Sequence, residues 1–242
     1  IELTRPDKFN CLSSEAWTLI DGFRRDCEAG DVRAIVLRAQ GDNFCTGADL
    51  DEVEALGSDA VALSAFIERG HAALRAFENS PLPVVAAVQG LCLAGGLELM
   101  LAADVVFAAR SARLGDQHAQ YGLLPGWGGS QRLPRTIGVR RALDLMFSAR
   151  WLSADEALGM GLVNYVVNDD ALWRESAGYA ATLATRSREG LAQMKHLARD
   201  GMALNPNDAL AFEAQIAAHH LAGADSNEGL AAFRARRKPD FG

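Results

Sequence analysis

Short apolar runs alternate with stretches of helical period through the first two-thirds of the chain. Ser13 or Ser14 can cap a helix, and Trp17, Ile20, Phe23 and Cys27 then recur at helical spacing until Gly30-Asp31 stops them. A β-branched run over Val32–Leu37 reads as a strand. Residues 51–78 read as helix, irregular around Gly57-Ser58. Pro81 and Pro83 end it, because proline lacks the donor and restricts the residue before it. Val84–Val88 reads as a buried strand, 96–102 as a helix and Val105–Ala108 as a further strand. This alternation predicts an α/β fold with a largely parallel sheet.

From Gly126 the texture changes. Pro125-Gly126-Trp127-Gly128-Gly129 reads as a loop feeding a helix, and Val139–Phe147 as a second helix after Gly138. Ser153-Ala154-Asp155-Glu156 has the form of a capping box, with Gly159 and Gly161 ending the short helix behind it. Leu162–Val167 reads as the last strand. Beyond Asp170 the pattern is helical, including Asn207–Leu221 and Asn227–Arg237. The expected organisation is an α/β core over 1–167 and a helical region over 168–242.

The stretch 84–109 is about long enough to cross a bilayer, which takes ~20 apolar residues. It carries Gln89, Glu98, Asp104 and a Gly-Gly pair, with no basic cluster beside it, so a strand–turn–helix–strand inside a soluble core explains it and no membrane span is expected.

Two glycine turns carry the candidate chemistry. Phe44-Cys45-Thr46-Gly47-Ala48-Asp49 and Leu93-Ala94-Gly95-Gly96-Leu97-Glu98 each follow an apolar run and lead into helical sequence. Small residues let the backbone turn sharply and aim N–H groups outward. Two such turns can pair their donors around one developing oxyanion. Glu98, in an otherwise apolar segment, is costly there unless partnered or functional.

Together with these turns, Arg5-Pro6-Asp7-Lys8-Phe9-Asn10, Pro83–Glu98, the block Tyr121–Pro134, Gly161-Leu162-Val163 and the Phe233–Phe241 tail run in one order along the chain. In that order the sequence resembles the crotonase superfamily, the enoyl-CoA hydratase/isomerase group. The resemblance implies a crotonase-type spiral of ββα units with a helical C-terminal trimerisation region, and a further strand or hairpin ahead of Ile1. It places oxyanion-hole donors on Ala48 and Gly95 and an acid/base on Glu98. The position of the second glutamate of two-glutamate hydratases is His118, flanked by Asp116 and Gln117. Histidine can serve as acid or base near neutral pH, with Asp116 or Glu98 orienting it, or can merely line the pocket.

The resemblance further implies substrate and coenzyme A contacts at Arg5, Lys8, Thr46, Gly47, Asp49, Leu50, Gly96 and Lys238, and at Leu123, Pro125, Gly126 and Trp127. Trp127, Leu123 and Phe66 are candidate acyl-pocket walls. No cofactor is expected beyond the coenzyme A of the thioester substrate, and the expected assembly is a homotrimer or homohexamer. The implied reaction is hydration of a 2-enoyl-CoA. Enoyl-CoA isomerisation, acyl-CoA hydrolysis and a catalytically impaired CoA-binding protein are the alternatives. Gly126, where some isomerases carry an acid, speaks against dienoyl-CoA isomerisation.

The bulk composition agrees. A net charge of −7 argues against nucleic acid as a partner. Cys11, Cys27, Cys45 and Cys92 form no CxxC pair, and no histidine stands at metal-ligand spacing, so reduced thiols of a cytoplasmic protein without a metal site are expected. His219-His220 are adjacent on one helix and diverge, which is no metal pair either.

Overall fold

The computed structural model describes residues 1–241. In chain order the elements are β1 (Glu2–Leu3), α1 (Ser14–Ala29), β2 (Ile35–Ala39), α2 (Leu50–Leu56), α3 (Ala60–Asn79), β3 (Val84–Val88), β4 (Leu91–Leu93), α4 (Gly95–Leu101), β5 (Val105–Ala109) and β6 (Arg113–Gly115). There follow α5 (Gly129–Ile137), α6 (Val139–Ser148), β7 (Leu152–Ser153), α7 (Ala154–Met160), β8 (Tyr165–Val167), α8 (Leu172–Leu183), α9 (Arg188–Gly201), α10 (Pro206–Leu221) and α11 (Ala224–Ala235). Short 3₁₀ turns occupy Pro6–Lys8, His118–Tyr121 and Asp169–Ala171.

One sheet is wholly parallel, in the order β1-β2-β3-β5-β8. Its central strand, Val84-Val85-Ala86-Ala87-Val88, is buried along its whole length. A parallel strand covered on both faces needs such an unbroken apolar run. A smaller sheet, β4-β6-β7, stands beside it, with β4 and β6 parallel and β7 antiparallel. The apolar stretch 84–109 thus resolves into β3, β4, α4 and β5, and among the described residues no helix is long and apolar enough to cross a membrane.

Several elements differ locally from the sequence pattern. The helix over 51–78 is two helices: Gly57, at φ 58°, closes α2, and the Asp59 side chain caps α3 by accepting from the N–H groups of Val61 and Ala62. The first long strand begins at Ile35, whose N–H donates to Pro83 O, three residues later than the apolar run. Leu162 and Val163 pack into the core ahead of β8 rather than extending it, since Asn164 already closes the ladder through its side-chain oxygen on the Val106 N–H. Phe23, expected inward, is exposed, whereas Trp17 and Ile20 of the same helix are buried. The capping box at Ser153 forms with both of its hydrogen bonds.

Helix α8 packs on β2, β3 and β5, so the helical region after residue 167 opens by covering the sheet. Helices α9, α10 and α11 then pack in succession.

Candidate active site

The two glycine turns meet. Cys45 and Cys92 form a parallel bridge, with Cys45 N–H donating to Leu91 O at 3.1 Å and Leu93 N–H to Cys45 O at 3.0 Å. Gly96 permits this approach: a Cβ there would lie 2.0 Å from the Cys45 carbonyl oxygen. At Gly47, with φ 109°, a Cβ would stand 2.9 Å from the Gly95 nitrogen, so the backbones of the two turns touch where both residues lack side chains.

This contact sets the direction of two N–H groups. Leu12 donates to Gly47 O at 2.8 Å and accepts from Asp49 N–H at 3.0 Å, bracketing Ala48. In that parallel pattern the N–H of Ala48 points away from Leu12. Ahead of Gly95, Ala94 adopts φ 49° and ψ −119°, a conformation costly for any residue with a Cβ. The strain reverses the chain as α4 begins, leaving the Gly95 N–H as the first of the helix, with no carbonyl a turn behind it. Among the described residues neither the Ala48 nor the Gly95 N–H has an acceptor. Both residues line a cavity of about 540 Å³.

Glu98 reaches the same cavity from the first turn of α4 and is 1% exposed. Its Oε1 accepts the N–H of Trp127 at 2.8 Å and that of Gly129 at 2.7 Å, at the start of α5. Glycine at 129 leaves room for this approach: a Cβ there would sit 3.1 Å from Glu98 Cγ, tight enough to push the carboxylate aside by a few tenths of an ångström. Arg132 secures the loop from behind, donating to Trp127 O at 2.6 Å while forking onto Glu78. Burial and the two donors pull the Glu98 carboxyl in opposite directions. Burial prevails and pushes its pKa up, against the pull of Gly129, His118 and Trp127.

His118 faces Glu98 across the cavity wall, with Nε2 3.9 Å from Glu98 Oε2. Its Nδ1 lies 3.0 Å from Asp116 Oδ1. Between them Gln117 takes the left-handed conformation, φ 60°, and anchors to Ala149 O through its side-chain amide. Burial pulls the imidazole pKa down, but the hydrogen bond and charge of Asp116, with Glu98 beyond, outweigh it and raise it. Asp116, one of two possible orienting groups in the sequence, is thus the one in hydrogen-bond contact.

Lys8, Thr46, Ala48, Asp49, Leu50 and Gly95 line the cavity, as do Glu98, His118, Leu123, Gly126 and Trp127. Gly47, Gly96 and Pro125 shape it from behind and do not line it. Arg5 lines an adjoining cleft and pairs with Asp49 at 2.9 Å, and Lys8 pairs with Asp51 at 2.6 Å on the rim. Partial burial pushes the Asp49 carboxyl up, but the bond and charge of Arg5, with Cys11 and the Glu52 N–H, together hold it below its usual range. Lys238 does not line the cavity; its carbonyl accepts from Arg237, which forks onto Glu228.

The acyl-pocket candidates Phe66, Leu123 and Trp127 all face the cavity, with Trp127 stacked edge-on against Trp17 at 4.9 Å between centroids and tilted on Phe66 at 5.4 Å. Leu63, Ile67 and Trp151, which the sequence pattern does not mark as wall residues, add to the apolar lining, as does Tyr121. Among the described residues no group of three histidine, cysteine or acidic side chains is placed to hold a metal. All four cysteines are free.

The family model described as enoyl-CoA hydratase/isomerase matches residues 1–242. The chain belongs to this family. It is 36% identical over 235 residues to a probable enoyl-CoA hydratase of Bacillus subtilis, covering 96% of this chain and 90% of that protein. It is likewise 36% identical over 227 residues to the mitochondrial methylglutaconyl-CoA hydratase of Rattus norvegicus, covering 92% of this chain and 70% of that one. Among solved structures, an enoyl-CoA hydratase from Polaromonas sp. JS666 superposes with a TM-score of 0.95 at 29% identity, over 99% of this chain and 94% of that chain. One from Bacillus anthracis does so with 0.95 at 32%, over 99% and 93%. The crotonase fold and the hydratase/isomerase class of enzyme are therefore those the sequence implied.

Proposed function

We propose that this enzyme adds water across the α,β double bond of a 2-enoyl-CoA to give the 3-hydroxyacyl-CoA, with Glu98 and His118 managing the protons. The observation that carries this reading is the 3.9 Å approach of Glu98 Oε2 and His118 Nε2, on the cavity that Ala48 and Gly95 also line. The thioester oxygen accepts the two N–H groups. Glu98, as carboxylate, takes one proton from a water whose oxygen bonds to C3. The electron pair of the double bond moves to the thioester oxygen as an enolate, the charge the two donors stabilise; one such donor is worth about 10²–10³ in rate. His118, protonated on Nε2, delivers its proton to C2. Proton transfer from Glu98 back to His118 resets the pair. The raised pKa of each group suits this cycle, because it favours a proton held on the pair.

Apolar walls from Phe66, Ile67 and Trp127 support an uncharged acyl group, since no lysine or arginine among the described residues stands beside these side chains on the lining, Lys8 lying on the rim with Asp51. The exposed Lys8 and, at the adjoining cleft, Arg5 are the cations nearest the rim, and the coenzyme A phosphates would compete with Asp51 and Asp49 for them. Thr46, Leu50 and Gly126 frame the pantetheine path.

The test follows loss of the enoyl-thioester ultraviolet absorbance with crotonyl-CoA for wild type, Glu98→Gln and His118→Ala. Loss in the wild type that collapses in both variants supports hydration by the pair. A wild type that binds acyl-CoA but consumes no enoyl-CoA, or that instead shifts a 3-enoyl double bond, overturns it.

The same reading includes a homotrimer or homohexamer in the cytoplasm. Helix α10 buries none of its residues within the protomer despite Leu210, Phe212, Ile216 and Leu221, and Phe233 on α11 is 82% exposed. A monomeric mass by light scattering would sink this part.

A further inference from the structure

Asp116 is 1% exposed, and its Oδ1 accepts both the Nδ1 proton of His118 at 3.0 Å and the His118 backbone N–H at 3.3 Å. Its Oδ2 is buried with no partner among the described residues. A carboxylate so placed is costly unless paired with a proton-bearing group, and the imidazole is its one side-chain partner. An ionised aspartate only accepts, so Nδ1 must donate, and Nε2 becomes the nitrogen that gains and loses a proton. The left-handed Gln117 permits this geometry by folding residue 116 back under residue 118, and its anchor on Ala149 fixes the turn to the end of α6.

We propose that Asp116 is the positioning residue that lets histidine do the work of a second carboxylate here. A glutamate runs between charges of −1 and 0. The Asp116–His118 pair runs between the same two charges, whereas a lone histidine would run between 0 and +1 beside Glu98. The proposal rests on the hydration reading in giving His118 a catalytic part, and not in the tautomer it assigns. The charged groups acting on His118 are Asp116 and Glu98. Helix α6, which packs against this turn, carries Arg140, Arg141 and Asp144, the last paired with Arg150 at 2.9 Å. Lys8 and Asp51, also on the cavity lining, pair with each other.

The test has two arms. Nitrogen-15 spectra of labelled histidine, compared with those of His118→Gln to assign the signal, should show neutral His118 protonated on Nδ1. Asp116→Asn should lower its titration midpoint. In the second arm, Asp116→Asn should reduce hydratase kcat by about 10- to 100-fold and move the basic limb of its pH profile down by about one unit, with KM held within a factor of about three. In a His118→Glu background the same substitution should leave kcat unchanged or raise it, because two buried carboxylates no longer crowd each other. An equal loss in both backgrounds makes Asp116 merely structural and overturns the proposal. A neutral His118 protonated on Nε2 overturns it as well, and that result needs only the wild type. If the wild type hydrates nothing, the hydration reading has failed and the spectra still decide the tautomer.

Discussion

His118 Nε2 and Glu98 Oε2 stand 3.9 Å apart, too far for a direct hydrogen bond and close enough to share a water-sized reactant. The far atom of each group is already engaged, Glu98 Oε1 by two backbone N–H groups and His118 Nδ1 by Asp116. Each residue therefore offers one atom to the cavity, and neither can turn away without giving up its own hydrogen bonds.

Glu98→Gln and Glu98→Ala should separate chemistry from support. The glutamine oxygen can keep the bonds from Trp127 and Gly129, so Glu98→Gln should lose about 10²–10⁴ in kcat with little change in acyl-CoA affinity or thermal midpoint. Glu98→Ala strands two buried donors and should cost about 1–3 kcal/mol more in chemical denaturation.

Stability should fall with rising pH through these two groups. Glu98 has a folded pKa above its unfolded value of about 4.3, so its contribution is complete below that pH and is lost as pH climbs through the folded pKa. His118 acts in the same direction from about pH 6.5 upward. Urea midpoints between pH 4 and 9 should show Glu98→Gln gaining on the wild type as pH rises above about 4.3. Asp116→Asn should lose the decline above about pH 6.5. Variants whose midpoints run parallel to the wild type through this window contradict both assignments.

Gly96→Ala should be among the most damaging single substitutions. Its Cβ meets backbone, the Cys45 carbonyl at 2.0 Å, which has no rotamer by which to yield. A loss of about 3 kcal/mol or more is expected in equilibrium unfolding, as for severe overpacking. Gly57→Ala, in open space though at positive φ, should cost about 1 kcal/mol.

Much of the site is legible in the sequence because it is made of short contiguous segments. The glycine turns, Glu98, His118 and the Ser153 capping box each declare themselves within a few residues. Strands β4, β6 and β7 do not, because two or three residues cannot show a period of two, and their pairing joins segments up to about forty residues apart. Trp151 and Ile67 reach the cavity from a loop and a long helix whose local sequence says nothing of what they face. The Asp116 contact is intermediate: the residue was visible, but only the left-handed Gln117 shows that 116 and not 98 bonds the ring.

Trp127→Leu should widen the acyl end of the cavity. Relative kcat/KM should shift toward longer or branched enoyl-CoA, at a stability cost of about 2–4 kcal/mol from lost contacts with Trp17 and Phe66. A variant that keeps the wild-type chain-length ranking would show that this ring is core and not pocket wall.

Trp127 also meets Glu98, but through its backbone N–H, while its ring faces the acyl space. The bond to Glu98 thus does not depend on the side chain at this position, since any residue but proline has the same backbone donor, although the ring is buried against Gly70 and Gly95. Selection can therefore change the shape of the acyl space through this side chain while the backbone bond to Glu98 stays, and a library of large apolar residues at position 127 samples new substrates around the proposed acid/base pair.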